Sequence, residues 1–185
     1  MDKVVVIKSC FIFWTPPSHD WVKLNVDGSL IPYLGSISAG SVIMDNKKNW
    51  LVEFDVNKGL GSVIETAELL SIFEGLKLAW KAGFRKVMVK SDSQSDVLLL
   101  NNNTLLNHPL FNIIHDYKSL RKSPTDTLKL CLQEILDNKV ASYLVNLGHS
   151  LDMGITVFED PPTQISDILD GDYKGVVVAR MVSSS

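Results

Sequence analysis

The stretch WVKLNVDGS, Trp21–Ser29, decides how the rest of the chain is read. Val22, Leu24 and Val26 alternate with Lys23, Asn25 and Asp27 until Gly28 breaks the run. A period of two ended by a turn residue marks a half-buried strand. Aspartate is a poor strand former, so Asp27, closing the strand on its less apolar side, needs a reason to be there. Upstream, WTPPSHD carries two prolines that forbid a helix or ladder hydrogen bonds, and it reads as an extended lead-in. Residues 1–13 are apolar and β-branched, fit for a strand or a leader. Downstream, GSVIMDNKKNWLVEFDV reads as a hairpin: a strand to about Met44, a turn over Asp45–Asn49, and a strand from Trp50 to about Val56. Three strands in succession without a helix give an antiparallel meander.

The period then changes. In SVIETAELLSIFEGLKLAWKAG, Ser62 and Glu65 stand at capping-box spacing, where each side chain satisfies an orphan backbone N–H. Leu69, Ile72, Phe73, Leu76 and Trp80 follow at helical spacing, and Gly83 supplies the stop. KVMVKSD is a short strand, reached by a helical crossover and therefore parallel to its neighbour. SQSDVLLLNN is a short helix; HPLFNIIHDYKSLRK is an extra amphipathic helix with Pro109 in its first turn. TLKLCLQEI alternates as the last strand, and NKVASYLVNLGHS is a closing helix ended by Gly148. The order βββαβαβα predicts an α/β fold with a mixed five-stranded sheet, its first three strands antiparallel, flanked by helices. Residues 1–20 read as an N-terminal arm, 21–150 as the domain, and 151–185, with Pro161, Pro162, scattered acids and terminal serines, as a partly disordered tail.

Bulk composition narrows the function. The chain has 185 residues, 45% of them apolar and 21% charged, with a net charge of -3. That suffices for one domain with a core, and it lacks the electrostatic footprint of a strong non-specific nucleic-acid binder. Any hold on nucleic acid must come from a local patch or from divalent cations. Cys10 and Cys131 give neither a zinc spacing nor a disulfide framework, which points to a reducing compartment. VVVIKSCFIFW contains Lys8, is too short to span a bilayer, and lacks a small-residue cleavage site. The reading is a soluble intracellular protein with no membrane partner; no basic run selects nucleus or cytoplasm.

Three acids fall where this architecture brings its elements together: Asp27 on the first strand, Glu68 early in the long helix, and Asp92 at the end of the fourth strand. The first and fourth strands are central neighbours in such a sheet, and the long helix crosses them. Clustered carboxylates raise one another's pKa values, and a site that keeps them charged neutralises them with a hard cation. Oxygen-only ligands favour Mg²⁺ or Mn²⁺, and two such ions ~4 Å apart clamp a scissile phosphate. Singly, each acid has a plainer explanation: a turn at Asp27-Gly28, a helix cap at Asp92-Ser93, a solvated Glu68. The ordered set on strand, helix and strand favours the site.

With these pieces in order, the chain resembles the type 1 ribonuclease H domain in its plant non-LTR-retrotransposon-derived, reverse transcriptase-like form. WTPPSHDWVKLNVDGS, AGSVIMDNKKNWL, ETAELLSIFEGLKLAW, VMVKSDSQSDVLLL, HPLFNII and NKVASYLVNLGHS carry the resemblance, which extends over roughly residues 14–180. It implies a ribonuclease H-like fold and metal-dependent endonucleolytic cleavage of RNA in RNA–DNA hybrids, with two Mg²⁺ (or Mn²⁺) ions. Asp27 would bridge both ions, and Glu68 and Asp92 would serve the one on the leaving-group side. Gly28 and Ser29 would let the hybrid approach, and Gln94 would touch its minor groove, where the 2′-hydroxyl tells RNA from DNA. The partner implied is an RNA–DNA hybrid or other nucleic acid, bound by a monomer.

The chain departs from that pattern in several places. Ser142 stands where the family's fourth acid opens the last helix, and a neutral hydroxyl is a weaker metal ligand than a carboxylate. Ile135 and Leu136 replace an arginine–glutamate pair, no histidine precedes the last helix, and Met44 replaces an arginine. Lys129 is the only nearby base, and Asp137 is the one acid near enough in sequence to substitute. Two readings follow: a hybrid ribonuclease weakened at Ser142, or a degenerate retrotransposon-derived domain that binds nucleic acid or protein. His108, His115 and His149, and the four tryptophans, read as capping, boundary and core residues.

Overall fold

The structure, a computed structural model, describes residues 5–12, 15–60, 64–101, 115, 127–132, 138–158, 160–174 and 176–183. In chain order the elements are β1 (Val5–Ile12), β2 (Val22–Ile31), β3 (Ser36–Met44), β4 (Trp50–Leu60), α1 (Ile64–Lys81), β5 (Lys86–Ser91), α2 (Gln94–Asn101) and β6 (Thr127–Leu132). They are followed by α3 (Lys139–Gly148), β7 (Gly154–Phe158), α4 (Thr163–Lys174) and β8 (Val176–Ser183). Ser62 of the capping box lies outside the described residues. So does the helix read at HPLFNIIHDYKSLRK, apart from His115, which is helical.

The main sheet runs β6-β5-β2-β3-β4-β7. β2, β3 and β4 form the antiparallel meander, and β5 joins β2 in parallel after the α1 crossover. The Asp45 carboxylate sets the β3–β4 turn, accepting the backbone N–H groups of Lys47 and Asn49, each at 2.8 Å. Among the described residues the main sheet has one strand more than the five read from the sequence: β7 pairs antiparallel with β4 along its edge. Residues 151–185, whose composition suggested partial disorder, supply that strand together with α4 and β8. Pro162 starts α4 by accepting the Ile165 N–H at 2.8 Å, and Ile165, Ile168 and Leu169 make its apolar face. Two prolines and scattered acids hid a short amphipathic period. β8 pairs with β1 in a separate two-stranded ribbon. Among the described residues, no helix is long and apolar enough to cross a membrane.

The helices cover both faces of the sheet. α1 lays Leu69, Ile72, Leu76 and Ala79 on Val22, Leu24, Val26, Ile43, Val87 and Val89. On the other face α3 and α4 close over Val42 and Met44 with Val140, Leu144 and Ile165. Met44 is thus core, and the apolar contact accounts for its presence there. Gly75 lets α1 settle onto the sheet, since a Cβ there would stand 3.0 Å from the Leu24 methyls.

The α3-covered face also holds two acids, Glu53 and Asp55, which are 0% and 1% exposed. Burial pushes Glu53 up to about 9, with the neighbouring Asp55 charge adding to the effect, and pushes Asp55 up to about 7. Each keeps its proton when folded at a pH where the unfolded chain has released it. Their contribution is therefore intact below the ordinary carboxylate range and declines as pH rises through about 7 and then about 9. In metal-free protein, Glu53→Gln and Asp55→Asn should flatten the loss of stability between about pH 5 and 8, as measured by denaturant titration at several pH values.

Candidate functional site

The β2–β5 pairing ends at Asn25↔Lys90. Asp27 and Asp92 therefore each stand two residues beyond the last pair, on adjacent parallel strands that lie ~4.8 Å apart. α1 brings Glu68 to the same end of the sheet because its backbone rests on Gly28. A Cβ on Gly28 would fall onto the Ala67 carbonyl carbon and the Glu68 nitrogen, and 2.8 Å from the Ala67 oxygen. Only a residue without a side chain allows this approach. As a result, one carboxylate oxygen from each of Asp27, Glu68 and Asp92 lies within 4.8 Å of the others.

The residues around the cluster hold it in place. The Gly28 N–H donates to Asp27 Oδ1 at 2.9 Å and also to Glu68. Ser93, not Asp92, caps α2: its Oγ accepts the Asp96 N–H and donates to Asp96 Oδ2 at 2.7 Å. Asp92 is left to the cluster. Asn138 occupies the N-cap position of α3 yet makes no side-chain cap. It is 1% exposed, its Nδ2 donates to the Val26 carbonyl at 2.9 Å, and its side chain also hydrogen-bonds Asp92. Ser142, one turn later, hydrogen-bonds Asp27.

Electrostatically the cluster is under-compensated. Burial, with the Asp92 charge adding, pushes Asp27 up to about 6, although the Ser142 and Gly28 hydrogen bonds pull it back. Burial and the charges of Asp27, Asp92 and Asp96 push Glu68 up to about 9. Burial also raises Asp92, against the pull of its own amide and of Asn138. Glu68 Oε2 is buried with no hydrogen-bond partner among the described residues. Three close carboxylates, oxygen donors only, and an orphaned oxygen turned inward suit a hard divalent cation.

Ser29 is half-buried on β2 beyond the cluster, and Gln94 is exposed at the start of α2. Ser142 lies at the cluster, as its place in the sequence suggested; Asp137 and His108 lie outside the described residues. His149 shares a 2.9 Å hydrogen bond with Ser36 at the far end of α3, and burial lowers its pKa. Trp21 stacks under Lys129, 4.5 Å from ring centroid to Nζ. Sequence reasoning missed Asn138 as a partner of Asp92. Its signal was an asparagine opening a helix, which ordinarily denotes a cap.

This sheet order, with α1 crossing to β5 and acids at the ends of β2 and β5, defines a ribonuclease H-like fold. RNase H1 from the archaeon Halobacterium salinarum matches with a TM-score of 0.64 at 21% identity, over 70% of this chain and 98% of its own. LC11-RNase H1, isolated from compost and solved with an RNA/DNA hybrid, matches at 0.62 and 20% identity, over 70% and 96% of the two chains. A foamy viral protease-reverse transcriptase solved with dsDNA matches at 0.55 and 15% identity, over 70% and 92%. Residues 25–148 match the reverse transcriptase-like family, and the chain belongs to it. A protein of Arabidopsis thaliana provisionally named a ribonuclease H protein is 31% identical over 174 residues. The match takes in 92% of this chain but 27% of that relative, so the chain spans about a quarter of the relative's length.

Two outcomes test this construction. Gly28→Ala should cost about 2–4 kcal/mol, because helix backbone cannot yield as a side chain can, and denaturant unfolding will measure it. Asp27→Asn should raise the melting temperature of metal-free protein by a few degrees at neutral pH, since it removes a buried carboxylate repelled by its neighbours. A calorimetric scan in chelator reads the shift.

Proposed function

We propose that this chain is a metal-dependent ribonuclease H-type domain that cleaves the RNA strand of RNA–DNA hybrids, weakened by a serine at its fourth position. The observation that carries the reading is the convergence of Asp27, Glu68 and Asp92 within 4.8 Å at one end of the sheet. The names of its relatives support it: two are RNase H1 enzymes, one of them solved on a hybrid. Bound Mg²⁺ or Mn²⁺ would supply Lewis-acid stabilisation of a scissile phosphate and an activated water.

The chain's own residues take the following parts. Asp27, Glu68 and Asp92 are the carboxylate ligands. Asn138 positions Asp92 by tying it to β2, and Ser142 positions Asp27 by hydrogen bond. Ser29 would meet the nucleic acid beside the ligands and exposed Gln94 would meet its minor groove, while the bare face of Gly28 is taken up by α1. Ser142 adds no negative charge, so metal is held less tightly than with a carboxylate at that position.

A labelled RNA–DNA hybrid with Mg²⁺ or Mn²⁺ tests the reading. Wild type should cleave slowly, Asp27→Asn not at all, and Ser142→Asp faster by about 10–100-fold. If neither wild type nor Ser142→Asp cuts at high Mn²⁺ while both keep native circular dichroism, the catalytic assignment is wrong. A gel-shift with the same hybrid then shows whether the domain binds without cutting.

A further inference from the structure

A second group of buried oxygens lies apart from the Asp27 cluster. Glu53 and Asp55 are two residues apart on β4 and so share the face that α3 covers. Asp55 is held between two glycines. Its Oδ1 lies 3.0 Å from where a Cβ on Gly40 would stand and 2.7 Å from where one on Gly148 would stand. Ser38 Oγ, on a residue 0% exposed, approaches the same point beside Gly148. None of the four carboxylate oxygens, nor Ser38 Oγ, has a hydrogen-bond partner among the described residues.

Protonation alone does not satisfy this arrangement. Each neutral carboxyl gains an O–H donor that needs an acceptor, yet the two acids bond neither each other nor Ser38. A buried polar group without a partner is costly, and two are more so. A cation would compensate the carboxylates and draw on Ser38 Oγ, which meets Asp55 Oδ1 at Gly148. Two carboxylates and a hydroxyl, with no nitrogen or sulfur, select a hard divalent ion. Gly40 and Gly148 let the Asp55 carboxylate and the Ser38 hydroxyl come up against the α3 backbone.

We propose that Glu53, Asp55 and Ser38 form a buried site for a hard divalent cation, separate from the Asp27 cluster, which fastens the C-terminal end of α3 to β3 and β4. The site does not depend on hybrid cleavage, and binding and stability report it without an activity assay.

Equilibrium dialysis and thermal melts with Mn²⁺ as the probe test the site. In a variant carrying Asp27→Asn, Glu68→Gln and Asp92→Asn, a single Mn²⁺ should remain bound and raise the melting temperature, with Ca²⁺ and Mg²⁺ competing. Adding Glu53→Gln and Asp55→Asn should abolish both effects. A triple variant that folds but takes up no Mn²⁺ at millimolar concentration overturns the proposal, as does uptake indifferent to Glu53→Gln and Asp55→Asn. If the triple variant does not fold, the comparison is wild type against Glu53→Gln/Asp55→Asn. The double variant should bind one Mn²⁺ fewer, and equal stoichiometry refutes the site.

Discussion

The close approach of α1 to β2 at Gly28 is the contact on which the rest of the molecule depends. A helix normally stands off a sheet by the length of its side chains; here backbone meets backbone at one residue. Leu24 and Val26, immediately before it, fill the space under Leu69, Ile72 and Leu76, so the helix pivots on Gly28 and is wedged by the core behind it. That geometry fixes the height of Glu68 above the sheet, and with it the separation of three carboxylates that would otherwise repel one another apart. The N–H of the same glycine serves both Asp27 and Glu68.

α3 plays the corresponding part on the opposite face. Asp27 and Asp55 flank Gly40 in register across three strands, and α3 reaches from one acid to the other. Asn138 and Ser142 attend the Asp27 cluster at its start, and Gly148 lies on Asp55 at its end. Gly40 makes this possible, since a Cβ there would stand 3.0 Å from the Val145 backbone nitrogen. The two groups of acids are therefore contacted by opposite ends of one helix.

The sequence disclosed what period and punctuation encode. The alternation through Val22, Leu24 and Val26, the turn at Asp45–Asn49 and the helical stripe from Leu69 to Trp80 each recur in the structure within a few residues. The convergence of Asp27, Glu68 and Asp92 followed from topology, because parallel neighbours linked by a crossover end at the same side of a sheet. Three features stayed hidden, each for a physical reason. β7 is short, and α4 follows Pro161 and Pro162 among scattered acids, so composition masked their patterns. The role of Asn138 depends on where its side chain turns, which a helix-opening asparagine does not specify. Glu53 and Asp55 went unremarked in the strand from Trp50 to about Val56, since a period of two says nothing about what later covers a face.

That covering bears on how the sheet ends. Without β7, β4 would be an edge strand, and inward-pointing charges on an edge strand deter other chains from pairing with it. Glu53 and Asp55, opposite Phe158 and Thr156 in the register that β7 adopts, would be such charges if ionised on a bare edge. The same two acids that lie beside β7 in the folded sheet would therefore oppose pairing by any other strand.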